Sequence, residues 1–110
     1  MTQLLVYIRQ RTCHDQQLAR LCLQEFGVPY TEVDISREPD AAQELDDLIG
    51  CLAVPTLVIA DDDRCPITPP DAIGPYQSVR NVDRGSVISE PSREGLRRFL
   101  IKHSLLQPAT

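Results

Sequence analysis

The chain has 110 residues, of which 42% are hydrophobic and 25% charged, with a formal net charge of −5; that is room for one domain around one core, spanning residues 1–110. The negative balance argues against nucleic acid and acidic membranes as partners, since both require excess Lys and Arg, and no segment approaches the roughly 20 apolar residues of a membrane span. Met1 to Tyr7 lacks the basic start and apolar length of a signal peptide, so the expected location is the reducing cytoplasm.

In chain order, Leu4–Ile8 (LLVYI) is apolar throughout, which predicts a central strand buried on both faces. A helix is expected from His14 to Phe26, with Leu18, Leu21, Cys22 and Phe26 on its inner side and Gln17, Arg20 and Gln24 opposite. Gly27 would cap it, and Pro29 discourages its resumption. Tyr30–Ile35 (YTEVDI) alternates, the pattern of a half-exposed strand at a sheet edge. Ala41, Ala42, Leu45, Leu48 and Ile49 recur at helical spacing and predict a second helix over Asp40–Ile49, ended by Gly50. Pro55 then precedes a third apolar strand, Thr56–Ala60. Strands alternating with helices imply an α/β layer built on a right-handed parallel crossover.

The segment Asp61–Gly85 breaks this rhythm. It holds four of the nine prolines and an Asp61-Asp62-Asp63 run without periodicity; irregular segments this long are uncommon in small domains and usually functional. A short strand (Ser86–Ser89) and a last helix opening at Pro91 or Ser92 follow, with Leu96, Phe99, Leu100 and His103 on one face, and residues 107–110 are expected to fray.

The candidate chemistry lies at the first strand-to-helix junction. Cys13 should stand at a helix N-terminus, where unpaired N–H groups and the positive end of the macrodipole favour an anion such as a thiolate. Arg9 and Arg11 add positive charge, Asp15 opposes it, and His14 reads as a solvated surface residue. The four cysteines (Cys13, Cys22, Cys51, Cys65) form no Cys-x-x-Cys pair or zinc-ribbon spacing, and His14 and His103 complete no cluster, so no metal site is expected. Cys22 lies nine residues along the same helix, a rise of about 13 Å. A disulfide needs Cα atoms within about 7 Å, which excludes that pair while the helix stands. Two thiols remain as candidates for resolving a disulfide at Cys13: Cys51, four residues before Pro55, and Cys65 in the proline-rich segment.

Element order and motifs together resemble the glutaredoxins of the thioredoxin-fold superfamily. Cys13, Gln16 and Ala19 occupy the places of the family's Cys-x-x-Cys or Cys-x-x-Ser and its following alanine; "FGVPYTEVDI" (Phe26–Ile35) resembles its link into the second strand, and "LIGCLAVPTLVI" (Leu48–Ile59) its Gly-x-x-Thr-Val-Pro segment. The resemblance implies a central four-stranded mixed sheet flanked by about three helices, with Asp61–Gly85 as a long insertion before the last strand. It further implies a catalytic Cys13 facing a cis Pro55, and substrate or glutathione contacts at Arg11, Thr12, Val54 and Pro55. Glutathione would act as a co-substrate, with no tightly bound cofactor. Several family features are absent. Gln16 offers neither thiol nor hydroxyl, Gln10 replaces a lysine three residues before the cysteine, and "SEPSRE" replaces a Gly-Gly and its following acid.

Three functions fit these residues. The first is a single-cysteine thiol–disulfide oxidoreductase acting on a thiol or disulfide partner. The second is a non-catalytic thioredoxin-fold binding module that uses the insertion as its contact surface. The third is a redox sensor in which oxidised Cys13 is captured by Cys51 or Cys65.

Overall fold

The first strand, β1 (Gln3–Ile8), is buried at every position after Gln3 because both of its faces are covered. Leu4, Val6 and Ile8 point to one side, and Leu5 and Tyr7 to the other, the two-residue period of a pleated strand. The computed structural model, which describes residues 1–108, builds outward from this strand. Helix α1 (His14–Phe26) leads to β2 (Thr31–Asp34), and α2 (Pro39–Ile49) to β3 (Thr56–Ala60); β4 (Val87–Ser89) and α3 (Arg93–Lys102) complete the order. The sheet runs β2-β1-β3-β4, with β1 and β2 parallel and the other two pairs antiparallel. This is the mixed four-stranded sheet with three helices expected of a thioredoxin-like fold. The parallel crossover is confined to β1–α1–β2; the following strand, β3, runs antiparallel to β1.

Three layers result. Leu57, Ile59 and Ile88 join the even face of β1 against Cys22 and Leu23 of α1 and Leu96, Phe99 and Leu100 of α3. Val33, Val58, Ala60 and Val87 pack on the opposite face against Ala41, Leu45 and Ile49 of α2. Arg93 ties the two helices of the first layer, pairing with Glu25 at 2.6 Å and lying 5.1 Å above the Phe26 ring.

Of the expected inner side of α1, Cys22 is buried and Leu18 and Phe26 pack against the core, whereas Leu21 does not belong to it. Gln16, Ala19, Cys22 and Leu23 are fully buried, while Leu21 is 64% exposed. Gln16, a polar residue, takes a buried place that hydropathy alone would not assign to it. Gly27 and Gly50 close α1 and α2 in left-handed geometry (φ 70° and 79°), the conformation glycine adopts without a Cβ penalty. Ser92 caps α3 by accepting a hydrogen bond from the Gly95 N–H at 3.0 Å. His103 ends α3, edge-on to Phe99, with its Nε2 2.7 Å from the Gly85 carbonyl. Of the tail expected to fray over 107–110, residues 107–108 are irregular and exposed, and 109–110 lie outside the described residues. No helix among the described residues is long and apolar enough to cross a membrane.

The insertion is irregular but tethered. Asp61 donates its N–H to the Cys65 carbonyl (2.8 Å), and its carboxylate accepts from the N–H groups of Asp63 and Cys65. Further along, Ser86 Oγ donates to the Thr68 carbonyl (2.7 Å), while Asp71 and Arg84 exchange two hydrogen bonds. Its last part runs beside β4, with bridges Arg80↔Ser89 and Asp83↔Ile88 that cover the edge of the sheet.

Candidate functional site

Cys13 is the N-cap of α1, with extended backbone (φ −109°, ψ 172°), an exposed side chain and no capping hydrogen bond from it. Its carbonyl accepts the first helical bond, from Gln17 at 3.1 Å. The sulfur is therefore presented to solvent at the positive end of the helix. Cys13 shares a cleft of about 450 Å³ with Arg9, Arg11, Thr12, Asp15, Val54 and Glu90. That is the lower range of small-molecule sites. Three of the four residues expected to contact substrate, Arg11, Thr12 and Val54, line it together with Cys13. Pro55 is buried directly behind Val54.

Gln16, three residues past Cys13, holds this junction in place. Its side-chain amide is fully buried, accepts from the Arg9 N–H (3.0 Å) and donates to the Arg9 carbonyl (3.0 Å). The side chain thus pairs with Arg9 as a neighbouring strand would, and fastens the first turn of α1 to the end of β1. A cysteine or serine could not span both groups. The position that lacks a second thiol has become a structural clamp.

The opposite wall is the cis Val54–Pro55 peptide. Thr56 Oγ1 donates to the Ala53 carbonyl (2.8 Å), so its oxygen accepts the Ser89 hydroxyl proton (2.7 Å), and the Glu90 N–H donates to the Pro55 carbonyl (2.7 Å). Three hydrogen bonds therefore hold the turn to itself and to the end of β4. Arg9 adds a fourth tie to the same loop, its Nη2 donating to the Leu52 carbonyl at 2.8 Å. Glu90, directly after β4, adopts a positive φ (45°) that glycine would serve better. A carboxylate is thereby placed on the cleft wall.

The charges of the site are mixed. Arg9, Arg11, Asp15 and Glu90 line the cleft, and Arg80 of the insertion reaches the last two. The Arg80 guanidinium grips both Asp15 oxygens, at 2.5 and 3.0 Å, and lies 3.5 Å from Glu90. Its hydrogen bonds hold the Asp15 carboxyl below the usual carboxylate range.

The other thiols are dispersed. Cys22 is 1% exposed within the core, where Arg93 approaches its sulfur. Cys51 follows the α2 cap and packs half-buried on the Tyr7–Leu45 face, at the same end of the sheet as Cys13 but outside the cleft lining. Cys65 lines a separate cavity of about 390 Å³ with Tyr7, Glu44 and Arg64. Its carbonyl is bonded to Asp61, next to Ala60, which pairs with Gln3 at the start of β1. The length of β1 alone puts about 17 Å between that end and the Cys13 end. The fold does not bring Cys65 within disulfide reach of Cys13. Among the described residues, no group of three or more His, Cys, Asp or Glu side chains could hold a metal ion.

Arg80 and Glu90 were not identified from the sequence as site residues. Glu90 had a faint signal, since it lies in the SEPSRE segment where the resemblance departs from its pattern. Arg80 had none, since nothing in its surroundings links it to a helix 65 residues away.

No curated protein matches the chain. A family model described as Glutaredoxin matches residues 4–64, from the start of β1 through β3 and into the insertion. It covers Cys13, the helix it caps and the cis-proline wall. With more than half of its 110 residues matched, the chain belongs to the glutaredoxin family and carries that family's thiol–disulfide oxidoreductase-like role.

Proposed function

We propose that the chain exchanges disulfides with Cys13 alone, taking its second sulfur from free glutathione. The Cys13 thiolate attacks the glutathione sulfur of a mixed disulfide. This forms a Cys13–glutathione disulfide and releases the partner's thiolate, which takes a proton from water. A second glutathione thiolate then attacks the glutathione sulfur of that adduct, forming oxidised glutathione and returning Cys13 as thiolate. Each step makes one S–S bond and breaks one, so the cycle needs one exposed thiol and a clamp, and no second cysteine.

The observation that carries this reading is the placement of Cys13. It is exposed at a helix N-terminus, in a cleft shared with Val54, while Gln16 fills the usual partner's position. Arg11 and Thr12 offer a cation and a hydroxyl for a glutathione carboxylate, and Val54 lines the same cleft as Cys13. The reducing cytoplasm would supply the thiol. The test is turnover of a glutathionylated peptide with glutathione as the only reductant. The wild type, Cys51→Ser and Cys65→Ser should all turn over, and Cys13→Ser should not. Loss of turnover in Cys51→Ser would instead favour an internal disulfide and a sensor role, and no turnover in the wild type would favour a binding module.

A further inference from the structure

The insertion reaches the reactive end of the molecule through one side chain. Arg80 is not a loose surface arginine. Its backbone forms a bridge to Ser89, its N–H donates to Ser78 Oγ, and the next residue, Asn81, donates to the Ser89 carbonyl at 2.7 Å. Asn81 Oδ1 also accepts from the Ser92 N–H at 2.9 Å, at the start of α3. A Cβ on Gly95 would press on that same Asn81 oxygen, so a larger residue there would have to displace it. The segment carrying Arg80 is thus fastened to β4 and α3, and the guanidinium is aimed at Asp15 in the first turn of α1.

Both carboxylates that Arg80 touches line the cleft of Cys13. The charged and titratable groups around that sulfur are Arg9 and Arg11 from the junction, His14 and Asp15 from α1, Glu90 after β4 and Arg80 from the insertion; the Val54 wall carries none. Asp15, two residues from Cys13, would by itself oppose a thiolate there. We propose that Arg80 is a positioning residue for the chemistry of Cys13. By cancelling Asp15, and in part Glu90, it keeps the end of α1 favourable to the attacking thiolate. Arg80 lies in the insertion, outside the stretch that the family match covers. The inference rests on Cys13 being the nucleophile, as proposed above.

The test is the rate of Cys13 alkylation by iodoacetamide against pH, read by mass spectrometry of the Cys13 peptide in the full-length protein. For Arg80→Gln at low salt the midpoint should move up by roughly half a pH unit, and the rate near pH 7 should fall about threefold. The difference from wild type should shrink in strong salt, as expected for exposed charges. Arg80→Lys should keep most of the wild-type profile, and Asp15→Asn combined with Arg80→Gln should recover most of the shift. A purely structural tether would lower the melting temperature but leave the alkylation profile in place, and that result overturns the inference while Cys13 remains the nucleophile. Wild-type Cys13 reacting like a free thiol, without turnover of a mixed disulfide, would overturn both.

Discussion

Residues 4–60 and residues 61–85 solve the same problem, holding a chain in place, by opposite means. The first stretch does it with apolar faces. Every residue of β3 is buried, and each face of the sheet has its own helical cover. The insertion buries little and relies on polar ties, such as Asp61 to the Cys65 turn, Ser86 to Thr68 and Arg80 to Asp15. Its aromatic residue, Tyr76, lies fully in solvent. The apolar part fixes where the sulfur is, and the polar part brings Arg80 to the carboxylates beside it.

Five substitutions would break or sharpen that contrast. The largest effect should come from Cys13→Ser, which removes the nucleophile and should lower mixed-disulfide exchange at least about a hundredfold, measured as steady-state turnover. Next, Leu57→Ala empties a fully buried site and should cost about 2–5 kcal/mol in urea unfolding. Tyr76→Ala, in the insertion, should stay within about 0.5 kcal/mol, and a comparable loss there would erase the contrast. Gln16→Met keeps the volume but strands the Arg9 N–H and carbonyl, for about 1–3 kcal/mol and a slower exchange rate.

The smallest effect is one of pH. The folded Asp15 carboxyl sits below its usual 3.8, so its pair with Arg80 stabilises the protein above that pH. That contribution fades as pH falls through the lowered folded value. Asp15→Asn should therefore lower the melting temperature slightly at neutrality, where the pair contributes, and flatten the acid limb below about pH 4, where the wild type loses that contribution.

Much of this could be read from the chain. LLVYI and TLVIA announced buried strands by lacking alternation, and Gly27 and Gly50 marked helix ends by conformation. Cys13 at the N-cap followed from the same logic, because a strand that runs into a helix leaves its junction residue there. What escaped were contacts made across long sequence separations by polar side chains. Gln16 looked like a missing thiol, yet it is a buried clamp, since hydropathy cannot tell a satisfied amide from an exposed one. Arg80 pairs with Asp15 only because the bridge to Ser89 brings the insertion back along β4, and no local periodicity encodes that return.

The central claim, a single thiol that borrows its second sulfur, is tested most directly by trapping the intermediate. The protein would be mixed with a glutathionylated peptide without free glutathione, then quenched at low pH and mapped by mass spectrometry. One glutathione on Cys13, removed when glutathione is added, is the expected result. An internal disulfide joining Cys13 to Cys51, or intact Cys13 with no adduct, would contradict it.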